Sequence, residues 1–255
     1  MSKEWVTGRN PVFESLSARR RHFFELQITQ GVEIKGRIKD ILVLAEKMNI
    51  PVHTVDRKRL DSIAENHQGV ALQASAYPYS DLPSILLYAK SLNEPGFFLI
   101  LDTLQDPQNL GTLLRTAEVV GVQGVFIPMH RAVAVTPAVV HASSGASEYI
   151  RIAQVNLVQT ITALKEHNIW VMGLEGDLSA QPIESVDLSG PLALVVGSEG
   201  YGLRDLVRRS CDVMLRLPMR GQIESLNASV AGSIALYLAY QTRISGTPDG
   251  PINLQ

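Results

Sequence analysis

The chain has 255 residues, 45% of them hydrophobic and 19% charged, with a formal net charge of −2. At about 150 residues per domain this is one large domain or two modest ones, long enough to bury well over half of its unfolded surface. The single cysteine, Cys211, excludes an internal disulfide and a thiolate zinc cluster, no apolar run reaches the ~18 residues of a membrane span, and the polar start MSKEWVTGRNPVFESL has no apolar signal core, so a cytoplasmic protein is expected.

Taken in chain order, residues 11–18 read as a short helix, opened by Asn10 with Pro11 in its first turn. Residues 23–29 read as a strand. Residues 37–49 carry Ile38, Ile41, Leu42, Ala45 and Met48 at helical spacing. A strand at 52–55, a helix at 57–65 and a strand at 70–76 complete a small alternating unit, 1–77. Proline, glycine and polar residues then mark 78–96 as a linker around a short helical piece.

The second part, 97–243, alternates more strictly. Strands are expected at 97–101, 124–127, 149–152, 170–174, 192–196 and 213–217, and helices at 110–120, 137–144, 157–167, 203–210 and 226–243. Unbroken apolar runs such as FFLIL and LALVV belong to strands buried on both faces. Such strands alternating with helices predict an α/β fold, a parallel sheet covered by helices. Ligands of these sheets sit in the loops beyond the carboxyl ends of the strands. The remaining residues, 244–255, read as a disordered tail.

The modest net charge hides an asymmetry. Residues 1–77 hold 12 Lys and Arg against 9 Asp and Glu, a balance of +3, whereas residues 94–243 hold 10 against 14, a balance of −4. The front cations form three clusters: Arg19, Arg20 and Arg21; Lys35, Arg37 and Lys39; Arg57, Lys58 and Arg59. They fit either solvated helix ends or phosphate contacts, and the split is what a nucleic-acid-binding unit beside a catalytic one would show.

Three post-strand segments stand out. In the first, a buried strand runs into D-P-Q-N-L-G-T-L-L-R-T-A, with a helix beginning near Asn109 and Arg115 within its first turns. In the second, L-V-V-G-S-E-G-Y-G-L, three glycines directly after a strand permit close backbone approach to a ligand. Its G-x-x-G-x-G spacing is neither the dinucleotide fingerprint nor a Walker loop, and Ser198 is not in a nucleophile elbow. In the third, L-P-M-R-G-Q-I-E-S-L-N-A-S-V-A, a strand ends in proline and Ser225 is expected to cap a long helix. That helix is rich in small residues, among them Ala228, Ser229, Ala231, Gly232, Ser233, Ala235 and Ala239, which suits tight packing within the chain or a subunit interface.

Together these segments closely resemble the three signature motifs of the SpoU (TrmH-like) family of S-adenosylmethionine-dependent RNA ribose 2′-O-methyltransferases. The phrases G-R-N-P-V near the start and H-Q-G-V-A-L at 67–72 resemble the same family's ribosomal-protein-like RNA-binding domain. The layout is most similar to the branch that methylates a guanosine of 23S ribosomal RNA. The resemblance implies a C-terminal trefoil knot, which periodicity alone would not suggest because knotted chains are rare. It also implies S-adenosyl-L-methionine as cofactor, no metal, a homodimer, and ribosomal RNA or a ribosome assembly intermediate as partner. Transfer RNA as substrate and a non-catalytic RNA-binding protein of the same fold are the alternatives.

By the same resemblance Asn109, Arg115, Glu199, Ser225 and Asn227 form the active site, and Gly197, Gly200, Leu217 and Leu226 hold the cofactor. The six histidines, His22, His53, His67, His130, His141 and His167, lie outside the three motifs. Family proposals make the motif-one arginine, here Arg115, the general base. A guanidinium, with a pKa above ~12, is a poor base near neutral pH but an excellent fork for a phosphate.

Overall fold

The structure, a computed structural model, describes residues 2–223 and 225–245. The chain runs β1 (Lys3–Thr7), α1 (Arg9–Ala18), β2 (Phe23–Thr29), α2 (Arg37–Lys47), β3 (Val52–Val55), α3 (Arg57–Asp61), β4 (Val70–Ser75) and α4 (Leu82–Ser91). It continues through β5 (Phe97–Leu101), α5 (Pro107–Val119), β6 (Gly124–Pro128), α6 (Pro137–Ala142), a 3₁₀ turn (Ala146–Glu148), β7 (Ile152–Val155) and α7 (Leu157–Glu166). The last elements are β8 (Trp170–Leu174), β9 (Gln181–Pro182), a second 3₁₀ turn (Ile183–Ser185), β10 (Leu192–Val196), α8 (Asp205–Ser210), β11 (Val213–Arg216) and α9 (Ala228–Ser245). Among the described residues two compact units result: 2–78 packs with Ala134–Tyr149, and Tyr79–Val133 packs with 150–223 and 225–245.

The first unit is a four-stranded sheet in the order β1-β4-β2-β3. The strand β1, absent from the sequence expectation, pairs antiparallel with β4 and sets Val6 opposite Leu72. Gly8 then turns the chain into α1 with φ 93°, a region that favours glycine, and a Cβ there would lie 3.2 Å from His141 Nδ1. The H-Q-G phrase is a turn staple. The Gly69 N–H donates to His67 Nδ1 at 2.9 Å, so the proton of the neutral ring sits on Nε2, 3.0 Å from Asp61 Oδ1. Beside it, Gln68 Oε1 accepts from the Arg9 N–H at 2.9 Å, and the Gln68 carbonyl accepts from Arg9 Nε at 3.2 Å. Two phrases far apart in sequence therefore meet.

The opening stretch of the first unit ends at Pro78, one residue beyond the expected boundary at 77, but 79–96 packs with the second unit rather than standing apart as a linker. The Asp81 carboxylate caps α4 by accepting from the Ser84 N–H at 2.8 Å. Ile85 and Ala89, one turn apart, enter the core of the second unit with Phe98, Phe126 and Val195. A Cβ on Gly124 would lie 2.3 Å from Ile85 Cγ2, so this helix packs tightly against β6. Conversely, α6 and the following 3₁₀ turn belong to the first unit. Arg21 makes a two-toothed bond to Glu148, at 2.9 Å from Nε and 2.7 Å from Nη2, with both side chains fully buried. Arg21 Nη1 also reaches Glu4 at 3.0 Å, and Tyr77 donates to the Ser147 carbonyl at 2.9 Å. Burial pushes the Glu148 carboxyl above its ordinary range and Arg21 pulls it down; the paired geometry is that of the ionised form.

Two members of the first basic cluster are thus structural, while Arg19 is exposed. Arg21 is buried, and Arg20 donates to Tyr77, to the Glu148 carbonyl and to the Pro78 carbonyl. Arg37, in the second cluster, lies 3.9 Å from the Phe13 ring centroid. Arg57 and Lys58 remain exposed.

The second unit is a seven-stranded parallel sheet in the order β7-β6-β5-β10-β8-β11-β9. The chain moves outward from β5 to β6 and β7, then crosses to build the other side. The late strand β10 lies between β5 and β8, with Val196 opposite Leu101. The order reverses at β5 and β10, the place where open parallel sheets hold their ligands. The apolar strands match the expectations at 97–101, 170–174 and 192–196; β7 lies three residues later than expected because Tyr149 belongs to the first unit.

The helix α9 starts at Ala228, and its cap is Asn227 rather than Ser225: Asn227 Oδ1 accepts from the N–H groups of Ser229 and Val230 at 2.9 and 3.2 Å. Its small residues face inward. Ala235 and Ala239 are fully buried, a Cβ on Gly232 would lie 2.6 Å from Leu113 Cδ2, and Ser233 and Thr116 share a 2.9 Å hydrogen bond between α9 and α5. Of the two uses open to these small residues, Ala235 and Ala239 serve packing within the chain and not a subunit interface. The helix also extends through Ser245, so the expected tail does not begin at 244; its remainder, 246–255, lies outside the described residues.

Removing one partner of a buried ion pair costs about 3–5 kcal/mol. Arg21→Ala should therefore lower the thermal unfolding midpoint sharply, whereas Lys58→Ala on the exposed cluster should leave it unchanged. Equal midpoints for Arg21→Ala and the wild type in a melting experiment would refute this account of the first unit.

Candidate functional site

Four strands of the second unit, β5, β10, β8 and β11, deliver their carboxyl ends to one region. At the end of β5 the fully buried Asp102 accepts two bonds from Arg204: Oδ2 takes the backbone N–H at 2.9 Å and Oδ1 takes Nε at 2.7 Å. Asp102 also donates its own N–H to the Val196 carbonyl at 2.8 Å, so the ends of β5 and β10 are fastened together. Asp106 then caps α5 by accepting from the Gln108 N–H at 3.0 Å, with Pro107 in the first position. The helix thus begins two residues before Asn109, as an Asp-Pro pair favours.

The glycine segment after β10 folds back on itself. Ser198 and Gly202 exchange two backbone hydrogen bonds, each 3.1 Å long. A Cβ on Gly197 would lie 2.3 Å from the carbonyl of Gly202, so glycine is required for this closure, not only for approach to a ligand. Gly200, at φ 80°, faces open space. Tyr201 stands at the tip of the turn, 95% exposed.

Behind this turn lies a polar network. Glu199 Oε1 accepts from Asn109 Nδ2 at 3.1 Å and from Asn227 Nδ2. Asn109 Oδ1 in turn accepts from Asn227 Nδ2 at 3.2 Å and lies 3.0 Å from the Ser229 hydroxyl, which also reaches Asn227 Oδ1 at 2.6 Å. One carboxylate thereby ties the glycine loop to the first turns of α5 and α9. Asn109 and Ser229 are buried, and buried amides and hydroxyls are stable only when partnered in this way.

A cavity of about 600 Å³ opens beside the network. Gly197, Gly200, Leu217 and Leu226 line it, as do Glu199, Ser225 and Asn227. Leu174 and Leu215 add apolar wall, and Ala231 comes from α9. Seven of the nine expected site residues therefore share one pocket. Asn109 joins it through hydrogen bonds. Arg115 does not line it: it is exposed on α5, six residues beyond Asn109. Sequence reading missed Asp102, Arg204, Ser229 and the carboxyl end of β8. Asp102 and Ser229 stand inside or beside the quoted motifs, but nothing local marks their partners.

The SpoU rRNA Methylase family model matches residues 96–237, and an RNA 2′-O ribose methyltransferase substrate-binding model matches residues 5–80. YacO of Bacillus subtilis, named as a TrmH family tRNA/rRNA methyltransferase, is 42% identical over 242 residues, 94% of this chain and 96% of its own. The SpoU methyltransferase AviRb of Streptomyces viridochromogenes, solved with AdoMet, superimposes with a TM-score of 0.80 at 22% identity, over 96% of this chain and 92% of its own. An AdoMet-bound rRNA methyltransferase of Sinorhizobium meliloti does so with a TM-score of 0.77 at 23% identity, over 94% and 87%.

The overlap at Gly197 is with backbone, which cannot rotate away. Gly197→Ala should lower stability by about 1–3 kcal/mol, the usual cost of overpacking. Gly200→Asn, placing a residue that tolerates the left-handed region in open space, should cost less than about 1 kcal/mol. Denaturant titration of both variants checks the order, and an equal loss at both positions would contradict it.

Proposed function

Because the chain belongs to the SpoU rRNA methylase family, we propose that it transfers a methyl group to a ribose 2′-hydroxyl of ribosomal RNA, on a guanosine of the 23S molecule. The coarser activity comes with the family: the chain is an S-adenosylmethionine-dependent RNA 2′-O-methyltransferase. The choice of ribosomal over transfer RNA is supported by the substrate-binding model that matches residues 5–80 and by the balance of +3 over residues 1–77. The observation that carries the catalytic reading is the intact network of Asn109, Glu199 and Asn227 beside the cavity. It argues against a non-catalytic protein that merely kept the fold.

The cavity suits the cofactor. Its volume lies within the range of small-molecule pockets, its leucines offer apolar faces for an adenine ring, and the carboxylate of Glu199 is at hand for a positive charge. When bound, S-adenosylmethionine supplies a methyl group on a positively charged sulfur, with a neutral thioether as leaving group. Gly197, Gly200, Leu217 and Leu226 hold its adenosine part in this reading. Asn109, Asn227 and Ser229 keep Glu199 and the loop in place. Ser225 and Asn227 orient the 2′-hydroxyl, whose proton passes to solvent as the oxygen–carbon bond forms. Arg115 grips the neighbouring phosphate with its planar fork and stabilises the developing alkoxide. The trefoil knot implied by the family is supported by the chain path, in which β10 and β11 flank β8 before α9 returns to α5.

The homodimer is proposed through a different face from the buried alanines. Val230 (43% exposed), Ile234 (40%) and Tyr237 (50%) form a stripe at helical spacing on the outside of α9. Contiguous apolar surface of this kind marks interaction sites, and two-fold pairing is the commonest closed arrangement. A second copy seated there would lie on the same unit as the cavity, so the active assembly is the dimer.

Two measurements test these readings. Ribose-methylation mapping of 23S rRNA from a strain lacking the gene should show one missing guanosine methyl. That methyl should be restored by the wild-type gene and not by Arg115→Ala, a variant whose affinity for S-adenosylhomocysteine stays within about two-fold, less than 0.5 kcal/mol. A normal methylation map, with the missing methyl found on transfer RNA, would move the substrate. Sedimentation at low micromolar concentration should give a dimer for the wild type and a monomer for Ile234→Asp; a fully active wild-type monomer would remove the dimer.

A further inference from the structure

The first unit holds a cavity of its own, about 850 Å³, and the methyl-transfer chemistry makes no use of it. It lies where the two phrases that resemble the family's front domain come together, beside the turn after β2. The geometry points to a binding site for one unstacked ribonucleotide of the RNA substrate. This inference rests on the reading that the first unit holds that RNA.

Three features carry it. The floor is backbone in an unusual conformation: Gly31 at φ 77°, Gln68 at φ 52° and Gly69 at φ 84° all occupy the left-handed region. At Gly31 a Cβ would meet nothing within 4 Å, so the main chain there is directly accessible. Secondly, the rim carries two guanidinium groups, Arg9 and Arg57. Arg9 Nε donates to the Gln68 carbonyl, which holds the plane of its fork; the Arg57 side chain is 78% exposed, its Nε 3.8 Å from Asp61 Oδ1. Guanidinium groups at a rim suit a phosphate. Thirdly, the exposed amides of Gln30 and Asn66 border the same space, each with a donor and an acceptor, as the edge of a nucleobase requires.

Glu65 also borders the cavity and repels a phosphate from its own side, leaving the arginine side for the backbone. The volume exceeds what one side chain would fill and lies within the range of small-ligand pockets. RNA that is read by sequence is read mostly where its bases are unstacked. A pocket for one extruded nucleotide, on a different unit from the methyl-transfer cavity, would let the enzyme choose its RNA by a feature other than the methylated nucleotide.

The test uses the full-length protein carrying Gln30→Ala, Arg57→Ala and Asn66→Ala together, three exposed side chains whose loss leaves the Arg9–Gln68 and His67 bonds in place. Binding is measured to purified bacterial large-subunit rRNA and to bulk transfer RNA, with S-adenosylhomocysteine affinity and melting temperature as controls. The triple variant should bind rRNA at least ten-fold more weakly with both controls unchanged. Photo-crosslinking of 4-thiouridine-substituted rRNA to the wild type should label peptides containing residues 29–32 or 65–69. Undiminished rRNA affinity of the variant, with crosslinks elsewhere, would overturn the pocket and leave the ribosomal reading standing. Binding of transfer RNA alone, lost in the variant, would support the pocket and overturn the ribosomal substrate. Wild-type protein that binds neither RNA would overturn both.

Discussion

The catalytic unit is organised around a buried carboxylate. Asp102 ends β5 with no solvent exposure, and a lone charge there would be strongly destabilising. Arg204 resolves this by donating from both its backbone and its side chain. The consequence is geometric. With Arg204 held at the end of the neighbouring strand, the seven residues from Gly197 to Leu203 must turn back within a fixed span. The Ser198–Gly202 pair and the bare Cα of Gly197 are the solution to that constraint. The fold-back presents Glu199 to the amides of Asn109 and Asn227, and those contacts set where α5 and α9 begin relative to the cavity.

A similar logic holds the first unit together, with a different result. Arg21 and Glu148 are 127 residues apart in sequence, yet their paired bond is fully buried. It recruits α6 and the following turn from the middle of the catalytic stretch into the front unit. The chain accordingly passes between the two units at 78–79, 133–134 and 149–150. This pairing also changes the meaning of the basic surface. Charge that looks available for phosphate in composition is, for Arg20 and Arg21, committed to internal bonds, whereas Arg57 and Lys58 stay exposed.

Much of the site was legible because its chemistry sits in contiguous segments. The apolar runs FFLIL and LALVV announce the two strands that end at the cavity, while α5, expected to begin near Asn109, starts two residues earlier at the Asp106-Pro107 pair. Leu217 and Leu226 could be assigned from the third motif alone. What stayed hidden were partners. Nothing near Asp102 indicates Arg204, 102 residues away, and nothing near Ser229 indicates Asn109, 120 residues away. The cap of α9 was misplaced by two residues because Ser225 and Asn227 are both good caps; the choice falls to Asn227, whose carbonyl oxygen can serve the helix while its amide serves Glu199.

Sequence by itself determined the alternation of strands and helices, the buried character of the central strands, the family and the identity of the residues around the cavity. These follow from local periodicity, capping chemistry and contiguous motifs, which short stretches of chain express without reference to the rest. Tertiary structure alone decided that β10 lies between β5 and β8, that 134–149 belongs to the front unit, and that the small face of α9 is spent on α5 rather than on another subunit. Those outcomes depend on which distant surfaces can bury one another and which buried charges can find a partner. That is a property of the whole packed chain, set by strand order and pairing across a hundred residues or more, and no single segment encodes it.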